Sequence, residues 1–162
     1  MVPSDELVWS ADWAWGLPLI VVTVVFHVMG LGLFNEKFVS RMERAVAGRY
    51  STVIFGAVMS ATVLLATILH GVEAAIWAAA YRLLGGLPDV KSAMLYSLSS
   101  MTTYGHANVY LQQHWRLMGA LEALNGIILF GLTTAFLFST IQRVWPLGAR
   151  GWDARQARID EH

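Results

Sequence analysis

Apolar residues gather into three long runs along the chain, separated by shorter and more polar stretches. The runs extend from Leu17 to Phe34, from Val53 to Tyr81 and from Leu117 to Ile141. A helix needs about 20 predominantly apolar residues to cross the hydrocarbon core of a bilayer, and each run is in that range or longer. The pattern therefore predicts an all-α integral membrane protein with three transmembrane helices.

A fourth run, from Val90 to Thr103, is shorter and only partly apolar. Its length is too small to cross a bilayer and is typical of a re-entrant segment. Asp89 is a favourable N-cap residue with Pro88 just before it, so we predict a helix from this point to about Thr102. The sequence TTYGHAN follows at once. Irregular backbone at membrane depth is tolerated only where protein buries it or where it lines a water-filled cavity, so we predict a loop that faces a polar environment.

The composition supports a membrane protein and excludes several other classes. Hydrophobic residues make up 56% of the 162 residues and charged residues 14%, whereas soluble domains average about 25% charged residues. The 11 basic and 11 acidic side chains give no net charge that would attract nucleic acid. Cysteine is absent, which excludes disulfides and thiolate sites. No nucleophile–base spacing is visible, so we expect neither an enzyme nor an organic cofactor.

The distribution of lysine and arginine predicts the orientation in the membrane. None precedes the first run, four lie in the first loop, three lie between the second and third runs, and four follow the third run. The positive-inside rule places the N-terminus outside and the C-terminus in the cytoplasm, which suits the inner (plasma) membrane of a bacterium. Aromatic residues near the outer ends of the runs suggest an interfacial belt. They are Trp9, Trp13, Trp15, Trp77, Tyr81 and Trp115.

The stretch from about Ser51 to Val144 resembles the two-span pore domain of the potassium channel family. SATVLLATIL looks like the family's outer helix, and SSMTTYGHAN matches the position of the pore-helix end and the T-T-V-G-Y-G-D filter. VYLQQHWR resembles the turn before the inner helix, and ALEALNGIILFGLTTAFLF closely resembles the inner helix itself. The resemblance implies a re-entrant pore helix and a homotetramer around one central pore that conducts K⁺ or Na⁺.

This resemblance divides the chain into three parts. Residues 1–50 contain an extra, peripheral transmembrane helix and a basic cytoplasmic loop. Residues 51–145 form the pore domain, with an outer helix, the pore helix, the filter and an inner helix. Residues 146–162 are short, polar and glycine-containing, and we expect a frayed cytoplasmic tail.

The resemblance also assigns the residues of the selectivity filter, a loop whose carbonyl groups replace the water shell of the ion. Thr103 and Gly105 fall on the filter threonine and the first glycine, and they are the expected contacts of a monovalent cation. Tyr104, His106 and Ala107 stand where the family usually has Val, Tyr and Gly. The second glycine needs a left-handed backbone, which costs a non-glycine residue roughly 1–2 kcal/mol. We therefore expect a divergent filter with weaker selectivity for potassium.

Polar residues on the second and third runs, on the short fourth run and beside the filter form a predicted cluster that braces the filter. Its members are His70, Glu73, Ser99, Asn108, Glu122 and Asn125. His70 and Glu73 share one helix face because they are three residues apart, and so do Glu122 and Asn125. Ionisable groups inside a membrane are costly and indicate a functional site by default. A structural hydrogen-bond network, a regulatory proton site and a bound metal ion all fit this pattern.

Two further features leave alternatives open. Gly126 occupies the hinge position of the resembling inner helix and Gly131 follows it, but close helix packing explains such glycines equally well. His27 together with His70 raises the alternative of a haem-binding membrane protein, although the predicted topology puts His27 toward the inside and His70 toward the outside. A non-conducting or accessory membrane protein that keeps the channel fold is the other alternative to a cation channel.

Overall fold

A computed structural model describes residues 3–41, 51–105 and 108–160. Four α-helices account for most of these ranges, together with a π-helical turn at Asn35–Val39 and a 3₁₀ turn at Gln113–Trp115. The α-helices are α1 Pro3–Phe34, α2 Ser51–Leu83, α3 Val90–Met101 and α4 Arg116–Asp160. Within these described ranges, three stretches are long and apolar enough to cross a membrane, namely Trp9–Val39, Thr52–Leu83 and Gln113–Val144. The prediction of three transmembrane helices plus one short helix is confirmed.

Two helix ends differ from the sequence-based prediction. Helix α1 begins at Pro3, well before the predicted Leu17, because proline is favoured at the first position of a helix. Helix α4 continues to Asp160, so the expectation of a frayed tail from residue 146 is wrong. Alanine and arginine, which recur in the sequence after residue 148, are strong helix formers and support this extension.

The short helix α3 begins and ends where the sequence predicts. The Asp89 side chain accepts a hydrogen bond from the backbone N–H of Ser92 at 2.9 Å, which is N-cap geometry. This hydrogen bond lowers the pKa of the Asp89 carboxyl. At the other end, the N–H of Thr102 bonds the carbonyl of Leu98 at 3.1 Å and closes the last turn. The loop before α3 is held by Arg82, whose guanidinium donates to the carbonyl of Leu87 at 2.7 Å.

The chain divides into two compact units, each with its own core. The first unit combines residues 1–28 with 68–131, and its core includes Trp77, Tyr81, Met118 and Leu121. Trp77 and Tyr81 are fully buried, so assigning them to an interfacial belt was wrong. They lie on the α2 face that packs inside this unit, so their rings contribute to its core rather than to a lipid interface.

The second unit combines residues 29–67 with 132–162. Its core contains the buried residues Val39, Val58 and Val144. Phe34 stacks on Phe38 with ring centroids 4.9 Å apart beside this core. All the candidate site residues that follow belong to the first unit.

Candidate functional site

The loop after α3 turns its backbone N–H groups toward that helix. The N–H groups of Tyr104 and Gly105 both point at the carbonyl of Ser99, at 2.9 and 3.4 Å. In a planar trans peptide the C=O points opposite to the N–H, and no cis peptide occurs among the described residues. The carbonyls of Thr103 and Tyr104 therefore point away from the C-terminal end of α3.

This loop adopts left-handed backbone at two of its residues. Gly105 has φ of 78° and Thr103 has φ of 56°. A positive φ is ordinary for glycine but is an outlier for the β-branched Thr103, and such strain clusters at functional sites. The sequence predicted left-handed strain at Ala107 instead. No sequence signal indicates it at Thr103, because threonine is among the least suited residues for that conformation.

The predicted filter residues fall into two groups. Thr103, Tyr104 and Gly105 are described and exposed, with Tyr104 85% exposed. His106 and Ala107 lie outside the described residues, so their predicted roles stay predictions. Thr103 and Gly105 also line an open cavity of about 310 Å³. The residues in the filter position thus face open space in the single chain.

Gly126 allows α4 to pack directly against the end of α3. A Cβ atom added to Gly126 would overlap the carbonyl group and the Cα of Met101, the last residue of α3. A Cβ atom on Gly131 would meet nothing within 4 Å. Close packing therefore explains Gly126, and the hinge role predicted for it stays a prediction. Gly131 has no such packing requirement, which leaves the hinge hypothesis open there.

Glu122 is fully buried and bonds two hydroxyl groups from other helices. Tyr81 donates to Oε2 of Glu122 at 2.7 Å, and the hydroxyl of Ser97 contacts Oε1. The Ser97 hydroxyl also donates to the carbonyl of Ala74 at 2.7 Å. Because these residues lie on α2, α3 and α4, Glu122 ties all three helices together behind the loop. Glu122 was predicted as a site residue, whereas Tyr81 and Ser97 were not, because they carry no signal beyond being polar on apolar helices.

Glu73 is fully buried between two histidines. Its Oε1 lies 2.8 Å from Nδ1 of His27, and its Oε2 lies 3.1 Å from Nδ1 of His70. The two imidazole centroids are 5.0 Å apart. Since both rings reach the same carboxylate, the prediction that His27 and His70 lie at different depths is wrong. The rise along a helix is only about 1.5 Å per residue, so an error of a few residues in the predicted depth is enough to separate them.

The geometry of this pair does not favour the haem alternative. Axial histidines lie on opposite faces of a porphyrin and direct their nitrogens at the iron between them. Here both Nδ1 atoms point at one carboxylate, and the ring planes are inclined by only 32°. The close approach of the rings leaves no space for a porphyrin between them.

The other members of the predicted bracing cluster are dispersed. Asn125 is buried and donates through Nδ2 to the Thr23 hydroxyl of α1 at 2.9 Å. Ser99 is buried and supplies its carbonyl to the loop, whereas Asn108 is exposed. The described contacts thus give separate groups around Glu73, Glu122 and Asn125 rather than one cluster. Thr23 was not among the predicted site residues, because a threonine in an apolar helix is common and carries no charge.

Comparison with protein families gives one match to this site and its helices. A family model described as "Ion channel" matches residues 52–143, which is more than half of the chain. The match includes α2, α3, the exposed loop and the apolar part of α4. Neither the curated proteins nor the solved structures gave a match.

Proposed function

The chain belongs to the ion channel family, and we propose that it forms a homotetrameric pore for monovalent cations, K⁺ or Na⁺, with weak preference between them. Four copies of the loop after α3 surround the pore axis. The N-terminus lies outside and the C-terminus lies in the cytoplasm, in the plasma membrane of a bacterium. The role is passive conduction rather than catalysis.

The observation that carries this proposal is the direction of the loop backbone. With the N–H groups of Tyr104 and Gly105 held by Ser99, the carbonyls of Thr103 and Tyr104 point away from α3 into exposed space. Carbonyl oxygens arranged in a ring replace the hydration shell of a permeant cation. The left-handed conformation of Thr103 supports this reading, because it is the strained residue that orients the first of these carbonyls.

The exposed surface of the single chain supports assembly with further copies. Irregular backbone at membrane depth has to be covered by protein or to line a water-filled cavity. One loop cannot encircle an ion, so the exposed residues Thr103 to Gly105 need partner loops. Apolar residues next to this loop are exposed as well, on α3 (Leu98, 39%) and on α4 (Leu124, 51%; Ile127, 60%).

Weak selectivity follows from the residues after Gly105. His106 and Ala107 replace the tyrosine and the second glycine of the resembling filter, and alanine disfavours the left-handed backbone that the glycine adopts. Fewer carbonyls directed at the axis mean weaker discrimination, since selectivity rests on the number or field strength of these dipoles. We expect about two well-formed cation sites rather than a full column.

Two measurements test the proposal. Native mass spectrometry of the purified protein in mild detergent should give the mass of four chains, and a stable monomer in detergent and in membranes contradicts it. In liposomes, the wild type should show a small K⁺-over-Na⁺ preference that rises in the double variant His106→Tyr with Ala107→Gly. The variant His114→Tyr makes the same side-chain change outside the filter and should leave the preference unchanged. Wild-type reversal potentials that already follow the K⁺ gradient as closely as those of the double variant contradict the weak selectivity.

A further inference from the structure

Two histidines and a glutamate meet inside the first unit, and none of them belongs to the loop that the proposed pore uses. His27 and Glu73 are fully buried, and His70 is 13% exposed. Each residue offers one ligand atom, and these three atoms all lie within 4.8 Å of one another. His27 comes from α1, whereas His70 and Glu73 come from α2. We propose that this group, the His27–His70–Glu73 triad, binds a divalent transition-metal ion of the zinc type and fastens α1 to α2.

The donor set favours zinc and related ions over the hard cations. Imidazole suits Zn²⁺, Cu²⁺, Ni²⁺ and Fe²⁺, whereas Ca²⁺ and Mg²⁺ prefer oxygen ligands. Two histidines and one glutamate form an established three-ligand zinc set that leaves a fourth position for water. A single carboxylate among two imidazoles offers a hard cation too few oxygens, which excludes a calcium site of ordinary coordination.

The spacing of the ligand atoms is close enough for such a site to form by side-chain movement alone. Zinc bonds of about 2.0–2.1 Å in tetrahedral geometry place neighbouring ligand atoms roughly 3.3 Å apart. The two Nδ1–carboxylate distances of 2.8 and 3.1 Å would open by up to about half an ångström, and the widest separation in the group, which is within 4.8 Å, would close by up to about 1.5 Å. The ring of His70 packs on Phe130 with centroids 4.4 Å apart, and this contact holds the imidazole toward Glu73.

The location of the triad also favours a cation. A buried carboxylate at membrane depth is unfavourable unless a positive charge or several hydrogen bonds compensate it. A metal ion supplies that positive charge and links two helices through one centre. The competing occupant is a proton shared among the three side chains, which would leave a hydrogen-bonded brace with no affinity for metal. The inference does not depend on ion conduction.

Zinc binding to the whole purified protein tests the proposal. After treatment with a chelator, the wild type is titrated with ZnCl₂ in a calorimeter and its zinc K-edge absorption spectrum is recorded. We expect one Zn²⁺ per chain, a higher melting temperature with zinc, and a spectrum with two imidazole nitrogens and oxygen ligands at about 2.0–2.1 Å. Absence of saturable binding, or a spectrum without two imidazoles, overturns the proposal and leaves the triad as a hydrogen-bonded brace.

Matched variants locate the bound ion. His27→Asn and His70→Asn should each weaken zinc binding by more than about 100-fold, since loss of even an outer-shell partner costs 10–100-fold. His114→Asn removes an exposed histidine of the same unit and should leave the affinity unchanged. Loss of binding in His114→Asn but not in the triad variants contradicts the assignment. If a triad variant fails to fold, the zinc absorption spectrum of the wild type still distinguishes zinc bound by two imidazoles from a hydrogen-bonded brace without metal.

Discussion

Replacing Gly126 with alanine adds one methyl group at the point where α4 contacts the end of α3. The new Cβ would overlap the carbonyl oxygen, the carbonyl carbon and the Cα of Met101. All three are backbone atoms, so no side-chain rotation relieves the overlap and one helix has to move. Overpacking of this kind costs about 1–3 kcal/mol. Removing glycine from a helix interior returns roughly 0.5–1 kcal/mol, so we expect Gly126→Ala to lower the free energy of unfolding by about 1–2 kcal/mol.

Gly131→Ala is the matched control for this variant. It makes the same change five residues further along α4, where a Cβ would meet nothing within 4 Å. The control should be neutral or slightly stabilising, because only the gain in helix propensity applies. The difference in unfolding free energy between the two variants then measures the overlap with Met101 alone. Thermal unfolding of both proteins in the same detergent gives that difference.

Ion flux provides a second readout for the same pair. Met101 directly precedes the loop that contains Thr103 to Gly105, so moving the end of α3 displaces the carbonyls assigned to the pore. We expect Gly126→Ala to change the flux rate or the ion preference in liposomes and Gly131→Ala to leave the preference intact. Equal stability of the two variants would refute the packing argument at Gly126.

Three further changes have defined outcomes. Asp89→Ala should lower the melting temperature by removing the N-cap bond to Ser92. Because the fold lowers the pKa of the Asp89 carboxyl, the stabilisation by this bond is present at neutral pH and is lost as the pH falls through the pKa of the folded state. Equal melting temperatures of the wild type and the variant at neutral pH contradict this prediction. Glu122→Gln should keep most of the stability because an amide can still bond both hydroxyls. Glu122→Leu should cost about 1–3 kcal/mol in chemical unfolding for the Tyr81 hydroxyl, which is left unpaired, whereas the Ser97 hydroxyl keeps its bond to the carbonyl of Ala74. After deletion of residues 1–45, the protein should still form tetramers in native mass spectrometry. Its melting temperature should fall, because the deletion removes His27 and exposes Glu73. Complete loss of assembly would show that α1 is integral to the pore.

Much of the fold could be predicted from the sequence because its signals are local. Long apolar runs specify transmembrane helices directly, and the cap at Asp89 specifies where α3 begins. The predicted end of α4 was wrong because the glycine, proline and charged residues after residue 145 are typical of an irregular terminal segment. Helix propensity acts cumulatively over many residues and outweighs these single signals. Trp77 was assigned to the wrong environment because a sequence gives no direct information on which side of a helix is covered by its neighbours.

The candidate site was harder to predict because it depends on contacts between helices. The spacing along α2 correctly predicted that His70 lies beside Glu73. The position of His27 depends on how α1 packs, which the sequence does not show. A small error in its predicted depth therefore separated His27 from Glu73, although the two are in contact. Thr103 has a left-handed conformation that its own preferences oppose, so surrounding structure imposes it. Resemblance located the loop, whereas the backbone direction that supports cation binding came only from the hydrogen bonds to Ser99.

Single-channel recording in planar bilayers tests most directly whether the protein conducts cations through a pore of four chains. The purified protein, shown by mass to be a tetramer, is fused into a bilayer that separates unequal KCl solutions. We expect discrete current steps that reverse close to the equilibrium potential of K⁺. Reversal near the chloride potential, or an absence of steps from protein that is tetrameric and folded, would contradict it.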